Sequence, residues 1–177
     1  KMKTENCIST VTLVLGGTNS GKSQFAEDLI VQSGRPRRYI ATAQAWDAEM
    51  RAKIKSHQVQ RGPEWKTVEV PLEVEAALLE AQPGEIILLD CVTLWLSNLM
   101  MDDRDIKKSC SSLSATLQRA PCPVIIVSNE VGQGITPDNA MARTFMKHQG
   151  HLNQLLALHA EEVYFVTAGL PQKLKGA

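Results

Sequence analysis

The chain has 177 residues, of which 44% are apolar and 21% are charged, and its formal net charge is zero. This composition is typical of one soluble globular domain, and a neutral chain lacks the positive field that recruits nucleic acid. No apolar run reaches the roughly 18 residues of a membrane-spanning helix. The composition therefore excludes membrane insertion, and it favours self-association because a chain without net charge repels its copies only weakly.

Short apolar runs alternate with amphipathic stretches along the whole chain. The apolar or β-branched runs predict strands, at 11–15, 37–43, 65–70, 85–90, 122–130, 162–169 and 170–175. Stretches with apolar residues every three or four positions predict helices, at 20–33, 47–60, 71–82, 92–101, 102–119 and 137–160. Pro71 and Pro137 suit the first turns of two of these helices. The basic cluster Arg35, Arg37 and Arg38 is interpreted as a solvated loop.

Strands that are apolar on both faces and alternate with helices are typical of a parallel sheet covered by helices. The sequence therefore predicts an α/β fold with a mostly parallel sheet. Residues 1–10 are interpreted as a flexible lead-in, and residues 11–177 as a single domain, because no linker divides them. Four cysteines, Cys7, Cys91, Cys110 and Cys122, form no CxxC pair, which predicts reduced thiols and a cytoplasmic protein.

The stretch GGTNSGKS fits the phosphate-binding pattern G-x-x-x-x-G-K-S/T at every defined position. Glycines let backbone N–H groups converge on phosphate oxygens, Lys22 reaches the β- and γ-phosphates, and Ser23 offers a hydroxyl to Mg²⁺. The alternative is a chance match in a turn, but the loop follows an apolar strand and opens a helix, as the motif requires. The pattern predicts a P-loop NTPase of RecA-like architecture, with nucleotide bound by Gly16, Gly17, Thr18, Asn19, Ser20, Gly21, Lys22 and Ser23.

An acid stands where a second metal ligand is needed. Asp90 ends the apolar run IILLD, and the carboxyl end of that strand is expected beside the phosphate loop. We interpret Asp90 as a ligand of a nucleotide-bound Mg²⁺. The alternative is an N-cap for the next helix, a role for which aspartate is also well suited.

His57 continues an apolar stripe formed by Met50 and Ile54 on the predicted second helix. Spacing alone favours a core histidine with a satisfied hydrogen bond. The alternative is a nucleophile near the nucleotide, because imidazole can attack phosphorus and form a covalent intermediate. Asn129 and Glu130 end another predicted strand at the sheet edge where ligands gather. They are equally consistent with ligand contact and with a simple strand-to-helix connection.

Several longer stretches point to one family. In order they are GGTNSGKS, YIATAQAWDAEMRAKIKSHQVQRGPEW, TVE, LLDCVTLWLSNL and SNEVGQGITPDNAMAR. From about Val11 to Lys175 the chain resembles the bifunctional adenosylcobinamide kinase / adenosylcobinamide-phosphate guanylyltransferase family. The phosphate loop is shared with many families, whereas the histidine segment and SNEVGxGI(T/V)P are far more specific.

The resemblance implies roles for individual residues. His57 matches the histidine that takes up GMP, and Ser56 stands where some members carry a second histidine. Asp90 matches an acidic nucleotide-site position that is glutamate in some members. The other positions matched to nucleotide contact are Ala41, Thr42, Ala43, Gln58, Val59, Gln60, Arg61 and Glu69.

The resemblance also implies an activity. The enzyme would phosphorylate adenosylcobinamide with ATP or GTP, and would then transfer GMP from GTP through His57, using Mg²⁺ in both steps. Family members form trimers, which implies a homo-oligomer here; neither nucleic acid nor a membrane is an expected partner. Two alternatives stay open: a plain small-molecule P-loop kinase with a structural His57, and a nucleotide-sensing module without turnover.

Overall fold

A computed structural model of the chain describes residues 10–45 and 48–177, and all their side chains except those of Lys53 and Gln60. The predicted lead-in, with Cys7, lies outside the described residues apart from its last position. The strands are β1 (Val11–Gly16), β2 (Arg37–Ala41), β3 (Trp65–Glu69), β4 (Ile86–Asp90), β5 (Val124–Asn129), β6 (Glu162–Thr167) and β7 (Leu170–Lys175). The helices are α1 (Lys22–Gln32), α2 (Ala48–Arg61), α3 (Val74–Leu79), α4 (Val92–Met101), α5 (Ile106–Leu117) and α6 (Ala140–His159).

All the strands listed join one sheet in the order β3-β2-β4-β5-β1-β6-β7. Every neighbouring pair is parallel except β6 and β7, which form an antiparallel hairpin at one edge. β1 and β5 lie next to each other in the middle, and nearly all their residues are buried. The predicted α/β fold with a mostly parallel sheet and P-loop NTPase architecture is confirmed.

Two apolar clusters cover the two faces of the sheet, as the alternation of side chains along a strand requires. On one face, Leu13 and Leu89 pack with Trp95 of α4 and with apolar residues of α3, α5 and α6. On the other face, Val14 and Leu88 pack with residues of α1. Because both faces are buried, the strands carry the continuous apolar runs that predicted them.

Three helices begin later than predicted, each for a local reason. The carbonyls of Pro71 and Leu72 accept hydrogen bonds from the side chains of Asn98 and Trp95 on α4, both at 2.9 Å, and α3 begins only at Val74. At the other two helices a capping side chain fixes the first turn. Asp105 accepts from Lys108 N at the start of α5, and Asn139 accepts from Ala142 N at the start of α6.

The solvated loop expected at the basic cluster is wrong for two of its three arginines. Arg37 and Arg38 belong to β2, and Arg38 is only 2% exposed. The Arg38 guanidinium pairs with Glu85 at 3.1 Å, and Arg37 pairs with Glu64 at 2.8 Å. These ion pairs let two charged residues enter a strand. In the part of the chain that the structure describes, no helix has the length and apolarity needed to cross a membrane.

Candidate active site

The carboxyl ends of the central strands open into a pocket of about 540 Å³. Its walls come from the phosphate loop and the start of α1, from one side of α2, and from the ends of β2, β3, β4 and β5. The volume lies within the range of small-molecule and cofactor sites. The position follows the general rule that ligands of open α/β sheets bind beyond the carboxyl ends of the strands.

The phosphate loop is shaped by its glycines and closed by a lysine. A Cβ at Gly16 would lie 2.8 Å from the carbonyl oxygen of Val166, so no larger residue fits there without a shift. Gly21 precedes α1 with φ of 92°, a left-handed conformation that glycine adopts without strain. The Lys22 ammonium donates to Gly17 O at 2.9 Å, and Lys22 is almost fully buried. The first turn of α1 contains no acid, which leaves the positive end of the helix dipole available to an anion.

Asp90 ends β4 on the floor of the pocket. The Tyr39 hydroxyl donates to Asp90 Oδ2 at 3.0 Å. Burial raises the pKa of Asp90, while the Tyr39 hydrogen bond and the nearby charges of Arg61 and Lys22 lower it. The N-cap of α4 is Cys91, whose Sγ accepts from Leu94 N at 3.5 Å, so Asp90 does not cap that helix. The carboxylate is therefore a half-buried acid that faces the pocket.

Arg61, at the end of α2, joins this helix to the sheet and to α1. Its guanidinium carbon lies 3.5 Å from the centre of the Tyr39 ring, and Nη1 lies 3.5 Å from Glu27 Oε1. The Arg61 side chain is only 5% exposed. Burial raises the pKa of Glu27, and the charge of Arg61 opposes that rise. Burial also raises the pKa of Tyr39, which stays a neutral hydrogen-bond donor.

His57 lies on the pocket side of α2, one turn before Arg61. It lines the pocket together with Met50 and Ile54, so the three residues share a face as their spacing predicts. His57 is nonetheless exposed. The interpretation as a core histidine is wrong, because the apolar face of α2 borders the cleft. The imidazole is accessible from the space that the phosphate loop also lines.

The remaining residues matched to nucleotide contact divide into two groups. Ala41, Ala43, Gln58 and Glu69 line the pocket, and Gln58 Nε2 donates to Glu69 Oε1 at 3.3 Å. Among the described residues the lining omits Gly16, Gly17, Thr42 and Val59, and the Gln60 side chain lies outside the described part. Val59 is 73% exposed.

Thr42 is fully buried below the pocket and supports the segment after Asp90. Its hydroxyl donates to Cys91 O at 2.6 Å and accepts from Cys91 N at 3.0 Å. The Thr42 side chain therefore stabilises the turn that follows the acid instead of facing the pocket.

Sequence reasoning missed Tyr39 and left Asn129 open. Tyr39 and Ala41 alternate on one face of β2, so the predicted strand contained the signal that would have found Tyr39. Asn129 lines the pocket, whereas Glu130 is not among the lining residues, and its Oε1 accepts from Gly132 N at 2.6 Å.

Residues 12–174 match the family model described as cobinamide kinase / cobinamide phosphate guanyltransferase. The chain belongs to this family. A cobinamide kinase / cobinamide phosphate guanyltransferase is an enzyme of the transferase class. The match covers the phosphate loop, His57 and Asp90, and so the whole pocket.

Named relatives agree with this membership. "Bifunctional adenosylcobalamin biosynthesis protein CobP" from Pseudomonas aeruginosa is 43% identical over 167 residues, covering 93% of this chain and 96% of the relative. "Bifunctional adenosylcobalamin biosynthesis protein CobU" from Escherichia coli is 40% identical over 179 residues, covering 92% and 98%. The protein of the same name from Salmonella typhimurium is 37% identical over 179 residues, with the same coverage.

Solved structures with low sequence identity share the fold. The flagellar accessory protein FlaH from Methanocaldococcus jannaschii has a TM-score of 0.52 at 11% identity, over 94% of this chain and 78% of that one. PH0250 from Pyrococcus horikoshii has a TM-score of 0.57 at 13% identity, over 95% and 86%. At these identities the likeness concerns the fold alone.

Proposed function

We propose that this protein phosphorylates adenosylcobinamide with ATP or GTP and then transfers GMP from GTP to the phosphorylated product. The product of the second step would be adenosylcobinamide-GDP, an intermediate of cobalamin biosynthesis. One observation carries the proposal: an exposed imidazole, His57, and a complete phosphate loop line the same pocket. Family membership supports both activities.

In the first step, a hydroxyl of the corrinoid side arm attacks the γ-phosphorus of the nucleotide. Positioning and electrostatic stabilisation account for most of the catalysis of such transfers. The backbone N–H groups of the phosphate loop and the N-terminus of α1 would hold the triphosphate. Lys22 would balance charge on the β- and γ-phosphates, with Gly17 O holding its ammonium at the loop.

In the second step, a neutral ring nitrogen of His57 attacks the α-phosphorus of GTP. A P–N bond forms, the bond to the bridging oxygen breaks, and pyrophosphate leaves. A phosphate oxygen of the corrinoid phosphate then attacks the same phosphorus, which releases His57 and completes the diphosphate. Dividing the transfer into two displacements makes each one easier and predicts ping-pong kinetics.

Ser23 and Asp90 fit a Mg²⁺ ion because a hydroxyl and a carboxylate are the hard oxygen ligands that this cation takes alongside nucleotide phosphates. Both residues line the pocket. Burial raises the pKa of Asp90, and a nearby cation would stabilise its ionised form. When bound, the ion neutralises charge on the phosphate oxygens.

A plain small-molecule P-loop kinase is the alternative function. It predicts nucleotide turnover without a covalent nucleotide, and it leaves His57 without a chemical role. The exposure of His57 in the pocket favours the bifunctional enzyme.

The test is to incubate the protein with α-labelled GTP and Mg²⁺, denature it, and look for label on the chain. We expect label that is stable in alkali and labile in acid, as a phosphoramidate is. His57→Ala should abolish the label and leave phosphorylation of cobinamide in place. His151→Ala, which changes an exposed histidine of α6, is the matched control and should keep the label. Active protein without label would remove the second activity from the proposal.

The proposal extends to a homo-oligomer, a trimer as in the family, and to a cytoplasmic location. The sheet ends at β7, where Leu170 is 73% and Leu174 is 57% exposed, and exposed leucines on an edge strand suit a contact between copies. Cys91, Cys110 and Cys122 are free thiols, which suits a reducing compartment. Light scattering of the eluting protein would give the mass of the oligomer.

A further inference from the structure

We propose that Asn129 is a catalytic residue of the phosphoryl-transfer step, and that Thr93 and Asn153 position it. This inference rests on the proposed function and assigns a group that acts at the γ-phosphorus but not at the α-phosphorus. The Asn129 amide would donate to a γ-phosphoryl oxygen through Nδ2 and accept from the attacking hydroxyl through Oδ1.

Asn129 lies between the two parts of the site that bind the end of the triphosphate. It is the last residue of β5, and β5 lies between β4, which carries Asp90, and β1, which leads into the phosphate loop. Asn129 pairs in register with Gly16, and the next residue donates its N–H to Gly16 O at 3.0 Å. A nucleotide whose terminal phosphates lie between Lys22 and an ion on Asp90 would therefore place its γ-phosphate near the Asn129 side chain.

Both backbone groups of Asn129 that point away from the strand ladder are held by side chains. Its N–H donates to Thr93 Oγ1 on α4 at 2.8 Å, and its carbonyl accepts from Asn153 Nδ2 on α6 at 3.1 Å. Within residues 10–45 and 48–177, the Asn129 side-chain amide makes no hydrogen bond, although it is half-buried and lines the pocket. Two helices thus fix the residue while its amide stays available to a ligand.

A buried polar network lies directly behind Asn129. Ser128 Oγ donates to Asn153 Oδ1 at 2.6 Å, and Gln149 Nε2 donates to both groups, at 2.9 and 3.0 Å. Ser128 and Gln149 are fully buried, and Gln149 Oε1 has no hydrogen-bond partner in the described structure. Apolar side chains would fill this space without the cost of burying polar groups. The network is explained if its task is to fix the Asn153 amide, and through it the end of β5.

The chemistry requires no further reactant. The attacking oxygen forms a bond to the γ-phosphorus, the bond to the β-bridging oxygen breaks, and the hydroxyl proton passes to an oxygen of the transferred group. Asn129 neither gains nor loses a proton. Its donor becomes more valuable as charge develops on the phosphoryl oxygens, which is how a fixed hydrogen-bond donor accelerates such a step.

The guanylyl-transfer step provides an internal comparison. There the attack comes from His57 on α2, at the α-phosphorus, and the amide at the end of β5 has no developing charge at the γ-phosphorus to stabilise. A change at Asn129 should therefore separate the two half-reactions, whereas a general disturbance of the fold or of nucleotide binding would lower both.

The first experiment measures both half-reactions in Asn129→Ala. Loss of one fixed donor should lower kcat for cobinamide phosphorylation by about 10²-fold, with a change in the nucleotide KM of less than about threefold and labelling of His57 by α-labelled GTP within about threefold of wild type. Equal losses in both half-reactions, or unchanged phosphorylation, would overturn the inference. If the wild-type protein phosphorylates but acquires no label, the guanylyl transfer of the proposed function fails, and the loss of kcat in Asn129→Ala still decides the role of Asn129.

The second experiment tests positioning with Thr93→Val and Thr93→Ser. Valine removes the acceptor for Asn129 N–H at constant shape, and serine keeps it. Thr93→Val should lower kcat for phosphorylation by about tenfold while the nucleotide KM and the label on His57 stay near wild type, and Thr93→Ser should restore the rate. Equal rates in the two variants, or a loss confined to KM, would overturn the positioning role.

Discussion

The Arg61 guanidinium stacks on the Tyr39 ring at 3.5 Å, and the Tyr39 hydroxyl donates to Asp90. This stack connects α2, which carries His57, to the strand end that carries the acid. Arg61 also pairs with Glu27 on α1, the helix that begins in the phosphate loop. The position of His57 relative to the loop is therefore set by a cation held between an aromatic ring and a carboxylate.

Arg61→Met should loosen α2 and weaken guanylyl transfer more than phosphorylation. Methionine keeps the aliphatic stem but leaves Glu27 half-buried without its partner, which should lower the free energy of unfolding by about 1–3 kcal/mol. Urea unfolding measures this loss, and labelling with α-labelled GTP measures the transfer. Adding Glu27→Gln should recover part of the stability but not the labelling rate. An Arg61→Met protein with wild-type stability and labelling would contradict the role of the stack.

Asp90→Asn should stabilise the nucleotide-free protein and inactivate it. Burial raises the folded pKa of Asp90 above its ordinary value of 3.8, so the unfolded chain releases this proton at a lower pH than the folded chain does. The contribution of Asp90 to stability therefore falls as the pH rises from the ordinary value through the raised one. Asparagine still accepts from Tyr39 and has no charge to bury.

At pH 7 the Asp90→Asn variant should gain roughly 1–2 kcal/mol over wild type, and the gain should vanish near pH 3. Denaturant unfolding at a series of pH values measures the difference. Activity should fall by at least about 10²-fold if the carboxylate holds the ion. A variant that is less stable than wild type at pH 7 would show that the folded protein favours the ionised carboxylate.

Lys22→Ala should weaken both half-reactions because one triphosphate cradle serves both. The Lys22 ammonium is held over the loop by Gly17 O and is expected to contact the β- and γ-phosphates. We expect losses of about 10²-fold or more in phosphorylation and in labelling of His57. Guanylyl transfer that survives this change at the wild-type rate would indicate two separate nucleotide sites.

Gly16→Ala should destabilise the protein, since the added methyl group would contact the backbone at Val166 and the side chain of Ser20. We expect a loss of about 1–3 kcal/mol. Gly150→Ala is the matched control because it lies within α6 with open space around it, and it should gain about 0.5–1 kcal/mol from helix propensity. Thermal unfolding of both variants tests the pair, and a neutral Gly16→Ala would mean that the loop relaxes easily.

Much of the fold was predictable because its signals are local. The buried strands and the phosphate loop depend on residues adjacent in sequence, and the strand-end positions of Asp90 and Asn129 followed from them. The start of α3 was not predictable, since it depends on side chains of α4 that bond to the carbonyls of Pro71 and Leu72. Periodicity placed His57 on the right face of α2 but could not tell a face that borders a cleft from one that borders the core.

Contacts between distant strands explain the other differences. Thr42 lies between two residues that line the pocket, yet its side chain bonds to Cys91, some 49 positions away in sequence. Arg38 was expected in solvent and instead pairs with Glu85 beside the sheet. In both cases the deciding partner comes from a neighbouring strand or its end, whose register one sequence does not reveal.

The central claim is that His57 carries GMP between GTP and the corrinoid phosphate. The most direct measurement is peptide mass analysis after incubation of the full chain with GTP and Mg²⁺, quenched in alkali. We predict one GMP on the peptide that contains His57, release of pyrophosphate, and loss of the adduct when corrinoid phosphate is added. A protein that phosphorylates cobinamide but acquires no GMP at His57 would contradict the account.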